Sequence, residues 1–343
     1  MPQKRDTWLD YMKVFACILV TLGHFVQSMT KSGFLPGGGW VQWFNTTIYT
    51  FHVPLFFICS GYLYQKYSRV RDFSGWKNHV LKKALALGVP YFVFSLITWL
   101  MKAIFAEAVN TENAGLLETL FLNPMPPYWY LYVLFFLFAI VPTFRNQKTL
   151  LIVFGGAAVC RLILCWTGEL PVYLVYKCME FAVWFLAGMA LVAFKPLEKS
   201  LACRKQLLGV GLAVLFLGLS LVTWKMPEQS LLRFGMGILG CTATVLVMKG
   251  AFSGDKVHPI WAWMARYTMP VFLMHTIFSA GWRSVLLKVG ISNASVHMVT
   301  GLIISFAGPI LAAWIMGKIR GLDFIMYPGK YLRVGGKTPD AKR

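Results

Sequence analysis

The stretch WLDYMKVFACILVTLGHFV, Trp8 to Val26, is a hydrophobic span that opens just after Lys4 and Arg5 and yet carries Asp10, Lys13 and His24. Ionisable groups are costly to place in lipid. On a helix advancing about 100° per residue, Asp10, Lys13, Cys17, Thr21 and His24 follow one another at intervals of three, four, four and three residues and so share one face. That face has to turn toward protein. Lys13 and His24 stand about 16 Å apart along the axis at 1.5 Å per residue. This is too far for contact and suits two stations along a buried channel.

The rest of the chain agrees with a membrane setting. Its 343 residues are 57% hydrophobic and 13% charged, with a mean hydropathy of +0.61, well outside soluble averages. The first span is too long and too charged for a signal peptide and lacks a small-residue cleavage pattern. It is expected to stay as a first transmembrane helix. Further apolar runs of spanning length predict an all-α polytopic protein of about ten helices, placed near Trp8–Val26, Phe44–Tyr64, Ala84–Glu107, Tyr128–Phe144, Thr149–Cys165, Val172–Phe194, Gln206–Trp224, Leu231–Met248, Trp261–Trp282 and Val296–Met316. No internal repeat or soluble segment interrupts them, so residues 1–343 are expected to form one membrane domain, with 317–343 as a basic tail.

The net charge of +20 would suggest nucleic acid in a soluble protein, but its distribution points elsewhere. With a cytoplasmic N-terminus, 23 Lys and Arg fall in cytoplasmic segments and four, Lys31, Lys225, Arg283 and Lys288, on the opposite side, the other six lying within helices. The positive-inside rule then puts both termini in the cytoplasm. Anionic lipid is the expected partner of the basic surface, and no nucleic acid is expected. The seven cysteines form no CxxC pair, so neither a disulfide framework nor a metal site is indicated.

Several segments carry possible chemistry. The second helix contains FHVPLFFICSGYLY from Phe51, where Pro54 removes a backbone donor, His52 and Cys59 share a face, and Ser60 and Gly61 suit close helix approach. The segment Lys66 to Lys83 is the most basic loop, with Lys66, Arg69, Arg71, Lys77, Lys82 and Lys83. It is either a solvated face on anionic headgroups or a phosphate site. NPMPPYWY leads into the fourth helix, and Trp129 with its neighbours is an interfacial aromatic belt or a stacking platform for a sugar. Lys177 and Glu180 can pair at i, i+3. Arg161, Lys177 and Arg233 lie toward outer helix ends, where they snorkel or receive an anionic acceptor. WAWMARYTMPVFLMHTIF from Trp261 supplies a second intramembrane histidine, His275, seven residues after Thr268. His79, His258 and His297 fall in loops or at helix ends and are expected to be solvent-exposed.

Taken in order, these residues resemble the acyltransferase 3 family of integral-membrane acyltransferases, which includes polysaccharide and fucose O-acetylases. The resemblance covers nearly the whole chain. It rests on Lys13 and His24 at the family's first-helix spacing, on Phe56, Phe57, Ser60, Gly61 and Tyr62, on the basic pair Lys82 and Lys83 before Pro90, and on Tyr128 to Leu131. It continues in Phe185 to Met189, in Tyr267 and Thr268, and in Leu273 to His275. Lys13 stands where arginine is more usual, which keeps the charge and loses bidentate recognition. The acidic residue that many members carry after the fourth-helix tryptophan is absent.

The resemblance implies a multi-pass enzyme of the plasma membrane that transfers an acyl group, most often acetyl, from cytoplasmic acyl-CoA to a hydroxyl of a glycan, a lipid-linked sugar or a related cell-envelope acceptor. Acetyl-CoA would be a co-substrate, with no permanently bound cofactor. On this reading Lys13, Arg69, Arg71, Lys82 and Lys83 hold the CoA phosphates, Asp10 keeps Lys13 charged and placed, and the pantetheine arm threads between helices one, two and nine. His24 acts as general base or as covalent acyl carrier, and His275 or His52 orients the acceptor or steadies the oxyanion. Ser60 and Thr268 are expected to pack helices. Two other classes share some features. A transporter or flippase for a lipid-linked sugar would be expected to show repeated halves. A haem or quinone protein would use the three histidines as ligands and would be coloured.

Overall fold

A computed structural model of the chain describes residues 6–68, 70, 72–104, 114–193, 204–227, 230–254 and 256–332. The long helices among them are α1 (Thr7–Lys31), α2 (Gly39–Tyr67), α3 (Phe73–Ile104), α4 (Trp129–Ile140), α5 (Gln147–Thr167), α6 (Tyr173–Ala193), α7 (Lys205–Thr223), α8 (Leu231–Ala251), α9 (Pro259–Lys288) and α10 (Ala294–Lys318). No strand occurs among the described residues. Seven of the helices, α1, α3, α5, α6, α7, α8 and α10, are long and apolar enough to cross a membrane; α4 is apolar but short. The other two dilute their apolar content with Gln42, Asn45, Thr46 and Thr47 in α2, and with Arg266, His275, Arg283 and Lys288 in α9.

Several helix ends differ from the sequence reading by a few residues, and the largest difference is at the start of α3. The basic segment Lys66–Lys83 is not a loop throughout: α3 starts at Phe73, because the Asp72 carboxylate caps it by accepting from the Gly75 amide at 2.6 Å. It then runs on through a π-turn at Ala84–Gly88, directly before Pro90. A proline there lacks the amide that would close the regular ladder, so a wider turn ahead of it is the expected local adjustment.

α1 lies at the centre, packed against α2, α8, α9 and α10, and it is the most buried of the membrane-length helices. Its N-terminal end is tied down on two sides. The Thr7 hydroxyl bonds the carbonyls of Phe252 and Gly254 at 2.6 and 2.8 Å, and Asp6 pairs with Lys66 while accepting from the Tyr62 and Tyr67 hydroxyls. α2 packs closely on α6 because both are glycine at the crossing. A Cβ added at Gly61 would run into the Phe185 carbonyl, and one at Gly188 into that of Ile58. This is small-residue packing of the kind membrane helices use where lipid supplies no hydrophobic drive.

Proline also shapes α9. Pro270 has no amide to bond the Arg266 carbonyl four residues back, and that oxygen instead accepts from the Tyr327 hydroxyl at 3.4 Å. The segment after α10, two short turns at Leu322–Ile325 and Pro328–Lys330, is thereby held against the bundle.

Candidate functional site

The polar face of α1 turns toward α9, as its composition requires. Cys17 Sγ donates to the Thr268 carbonyl at 3.5 Å. One turn on, Thr21 is fully buried, and a further turn brings His24 beside His275 of α9, their rings 5.3 Å apart and tilted by 40°. His52 of α2 completes a set of three histidines within electrostatic reach of one another.

Hydrogen bonds decide the tautomers of two of them. Nδ1 of His275 lies 2.8 Å from the Val271 carbonyl and 3.0 Å from that of Phe272, and Nδ1 of His52 lies 2.6 Å from the Ile48 carbonyl. A carbonyl only accepts, so in each neutral ring the proton sits on Nδ1 and Nε2 keeps its lone pair. Both Nε2 atoms are buried without a protein partner. Tyr49, one turn before His52 on α2, joins the rings. Its hydroxyl is 3.4 Å from His24 Nδ1, and its ring meets the His52 ring edge-on at 4.6 Å. Gly23 makes room for it, since a Cβ there would lie 2.9 Å from the Tyr49 ring.

His24 and His275 open into a cavity of about 570 Å³ between α1, α3, α9 and α10. Buried polar atoms on its wall without a protein partner include Thr21 Oγ1, Ser279 Oγ and His275 Nε2. Unpaired buried polar atoms are costly, and a ligand with hydroxyls would satisfy them. Gly23, Tyr49 and Ser279 were not singled out in the sequence. The i−3 spacing of Tyr49 to His52 was the available signal, but many tyrosines in such a chain have a comparable one.

The remaining predicted residues are distributed along the molecule. Lys13 is half-buried, one turn after Asp10, and both act electrostatically on Cys59 of α2. Lys249 of α8 adds a cation near that end, 4.8 Å from the Trp8 ring. Lys83 lies over the Phe138 ring at 4.0 Å, whereas Lys82 is exposed; Arg69 and Arg71 lie outside the described residues. Ser60 packs α2 on α4 through a 3.0 Å hydroxyl contact with Tyr130. Trp129 faces the Lys177 ammonium at 5.3 Å, and Lys177 forms the expected pair with Glu180 at 2.7 Å, so a cation occupies the indole face. Tyr267 packs on Trp263, and the Thr268 hydroxyl bonds back to the Ala265 carbonyl.

Four expectations need correction. His297 is not exposed: it is buried, stacked on Phe34 at 3.9 Å, with Nε2 donating to the Ile291 carbonyl at 2.8 Å. His79 is half-buried against Tyr64 and Phe138, because α3 begins early enough to carry it into the bundle. Arg161 does not snorkel; it is 5% exposed and faces the Phe234 ring. Arg233 is also held inward, by the carbonyls of Thr46, Trp224 and Met226.

Comparison with known proteins gives a family match over residues 6–316, to a model described as an acyltransferase domain. A curated relative is the nodulation protein NolL of Mesorhizobium japonicum, 26% identical over 158 residues, which is 45% of this chain and 41% of that protein. The aligned part thus spans about two-fifths of the relative. No solved structure matches.

Proposed function

Because the chain belongs to the acyltransferase family matched over residues 6–316, we propose that it is a multi-pass O-acyltransferase of the plasma membrane. On this reading it moves an acyl group, acetyl in the first instance, from cytoplasmic acyl-CoA to a hydroxyl of a glycan or lipid-linked sugar of the cell envelope. The observation that carries the reading is the His24–His275 pair, 5.3 Å between rings, at a cavity whose wall holds unpaired polar atoms.

The transfer needs a base and a place for the hydroxyl. The acceptor oxygen attacks the thioester carbonyl carbon, the carbon–sulfur bond breaks, and the hydroxyl proton passes by way of the base to the departing CoA thiolate. His24 serves as that base, or carries the acyl group between donor and acceptor. His275 suits orientation of the acceptor, because its neutral ring offers a lone pair at Nε2 rather than a donor. It could steady an oxyanion only when protonated. Lys13, with Asp10 one turn away, fits the donor's phosphates at the other end of α1, joined by Lys82 and Lys83 and by Arg69 and Arg71. With both termini cytoplasmic, the helices that fall short of simple spanning apolarity, α2 and α9, cross the membrane lined against α1 rather than lipid.

The test is CoA release from acetyl-CoA by the purified, detergent-solubilised protein. His24→Ala should lower turnover by about 10²–10⁴, while Lys13→Ala should mainly raise KM for acetyl-CoA. Retention of full turnover in His24→Ala, or failure of the wild type to bind or consume acetyl-CoA, would overturn the reading and favour transport.

A further inference from the structure

The hydrogen-bonding groups of the cavity have a polarity that the protein itself fixes. At its deep end the wall includes Thr98 of α3, His275 of α9 and Ser305 of α10. His275 gives its Nδ1 proton to the Val271 and Phe272 carbonyls, so Nε2 presents a lone pair. The Tyr128 hydroxyl donates to the Leu273 carbonyl at 2.9 Å, and Thr98 Oγ1 lies 2.9 Å from that same hydroxyl oxygen. Tyr128 has one hydroxyl proton and spends it on Leu273. Thr98 is therefore the donor in their contact and keeps only lone pairs for the cavity. Ser305 likewise donates to the Gly301 carbonyl at 2.8 Å.

Ser305 alone would carry little, because serine in a helix commonly bonds back one turn. Thr98 does not follow that habit: its proton crosses to Tyr128, 30 residues away and fully buried. Side chains with N–H donors also line the cavity, Lys102 and Arg283 among them, but these two stand one turn beyond Thr98 and Ser279, toward the ends of α3 and α9. The Thr21 and Ser279 hydroxyls, unpartnered in the protein, can rotate to suit what binds. Of the deep groups whose proton position is fixed, all three offer lone pairs. What fills this end must bring protons. A thioester cannot, since its oxygen and sulfur only accept, whereas a hydroxyl can.

We propose that the deep end of this cavity is a donor-selective subsite, so that the acceptor must carry a second hydroxyl adjacent to the one that is acylated, with Thr98, oriented by Tyr128, helping to select it. This deepens the acyltransferase reading and rests on it. The rings of His24 and His275, 5.3 Å apart, are spaced for two neighbouring hydroxyls of one sugar ring. The acylated hydroxyl gives its proton toward His24, and its neighbour donates to His275 Nε2 or Thr98 Oγ1. An analogue with hydrogen or fluorine in place of that neighbour leaves buried acceptors unpaired, a larger loss than the net gain of the bond itself. Tyr128 touches no substrate on this account and is a positioning residue.

The experiment uses full-length protein in a polyoxyethylene detergent, which brings no sugar headgroup. The cis and trans forms of cyclohexane-1,2-diol are titrated against trans-2-fluorocyclohexanol and cyclohexanol, with thermal protection as the readout, in the absence and in the presence of CoA. The proposal expects at least one diol to protect at concentrations about fivefold or more below both single alcohols, the difference that one hydrogen bond makes, and expects that ranking to persist with CoA present. Thr98→Val keeps the shape of the side chain and the bond from Tyr128 to Leu273, and should narrow the gap by about twofold or more. Thr98→Ser should retain it. Tyr128→Phe frees Thr98 to turn its proton into the cavity and should narrow the gap likewise, a change in selectivity that a loss of packing would not produce.

Equal protection by the diols and the single alcohols would overturn the proposal, as would no protection by either diol up to its solubility limit. A gap unchanged in Thr98→Val or in Tyr128→Phe would also overturn it, since the diol would then bind elsewhere. So would loss of the ranking with CoA present, because the donor's arm would then fill the deep end. Failure of the wild type to turn over acetyl-CoA is a separate result: it would sink the acyltransferase reading while the donor selectivity of the cavity stood.

Discussion

At the residue scale, the three histidines are distinguished by what their Nδ1 atoms touch. His275 and His52 each spend that proton on a carbonyl of their own helix, which fixes the ring and leaves a single reactive direction, Nε2. Among the described residues His24 has no such internal tether; its Nδ1 meets the Tyr49 hydroxyl at 3.4 Å. Tyr49 thus positions the ring to which the proposed chemistry is assigned. A contact of that length is a weak hydrogen bond, worth about 1 kcal/mol at most. Tyr49→Phe should therefore lower kcat by about fivefold or less and leave KM for acetyl-CoA unchanged, as read by CoA release across a range of donor concentrations. A purely structural role for Tyr49 would move thermal stability instead and spare kcat.

At the element scale, the α2–α6 crossing holds the floor on which His52 and Tyr49 stand. Gly61 and Gly188 face the opposing carbonyls of Phe185 and Ile58 with no space for a Cβ. Neither partner is a flexible side chain that could move aside. Gly61→Ala and Gly188→Ala should each force the helices apart and destabilise the protein by about 1–3 kcal/mol, seen as a lower Tm in detergent. Gly155→Ala on α5, where an added Cβ meets open space, should not lower Tm and serves as the control. The same crossing explains part of the resemblance. The Ser-Gly of α2 and the Phe185 to Met189 stretch of α6 are read in sequence as two motifs, and they are the two sides of one contact.

At the scale of the whole molecule, the segment after α10 is fastened by a small charged cluster outside the membrane helices. Asp323 takes hydrogen bonds from Lys330 at 2.7 Å and from Tyr331. Burial pushes the Asp323 carboxyl up, but the bonds from Lys330 and Tyr331 outweigh it and hold the group below its ordinary value near 3.8. A carboxylate depressed in the folded state stabilises at pH above its unfolded value and loses that contribution as pH falls through the folded value. The turns at Leu322–Ile325 and Pro328–Lys330 should therefore stay protected at neutral pH and open only in acid below the ordinary carboxylate range. Asp323→Asn should open them at neutral pH. Hydrogen exchange over residues 322–331, corrected for the intrinsic effect of pH, checks both; unchanged protection in Asp323→Asn would contradict the assignment.

The sequence by itself determined the class of protein and one side of the site. Composition and apolar run length are sums over residues, and they demand a helical membrane bundle wherever each helix ends up. The polar stripe from Asp10 to His24 is a property of one helix and follows from its period alone, so His24, Thr21 and Cys17 were legible, as was the i, i+3 pairing of Lys177 with Glu180. Only the tertiary structure decided which helix faces that stripe, because packing partners carry no local signal. It brought His275 to His24, set Tyr49 against Gly23, buried His297 and Arg161, and turned Lys83 onto Phe138. It also brought Thr98 and Ser305, far apart in the chain and unremarkable singly, to the cavity into which His275 opens, since convergence of hydrogen-bonding groups is a matter of distance through space rather than along the sequence.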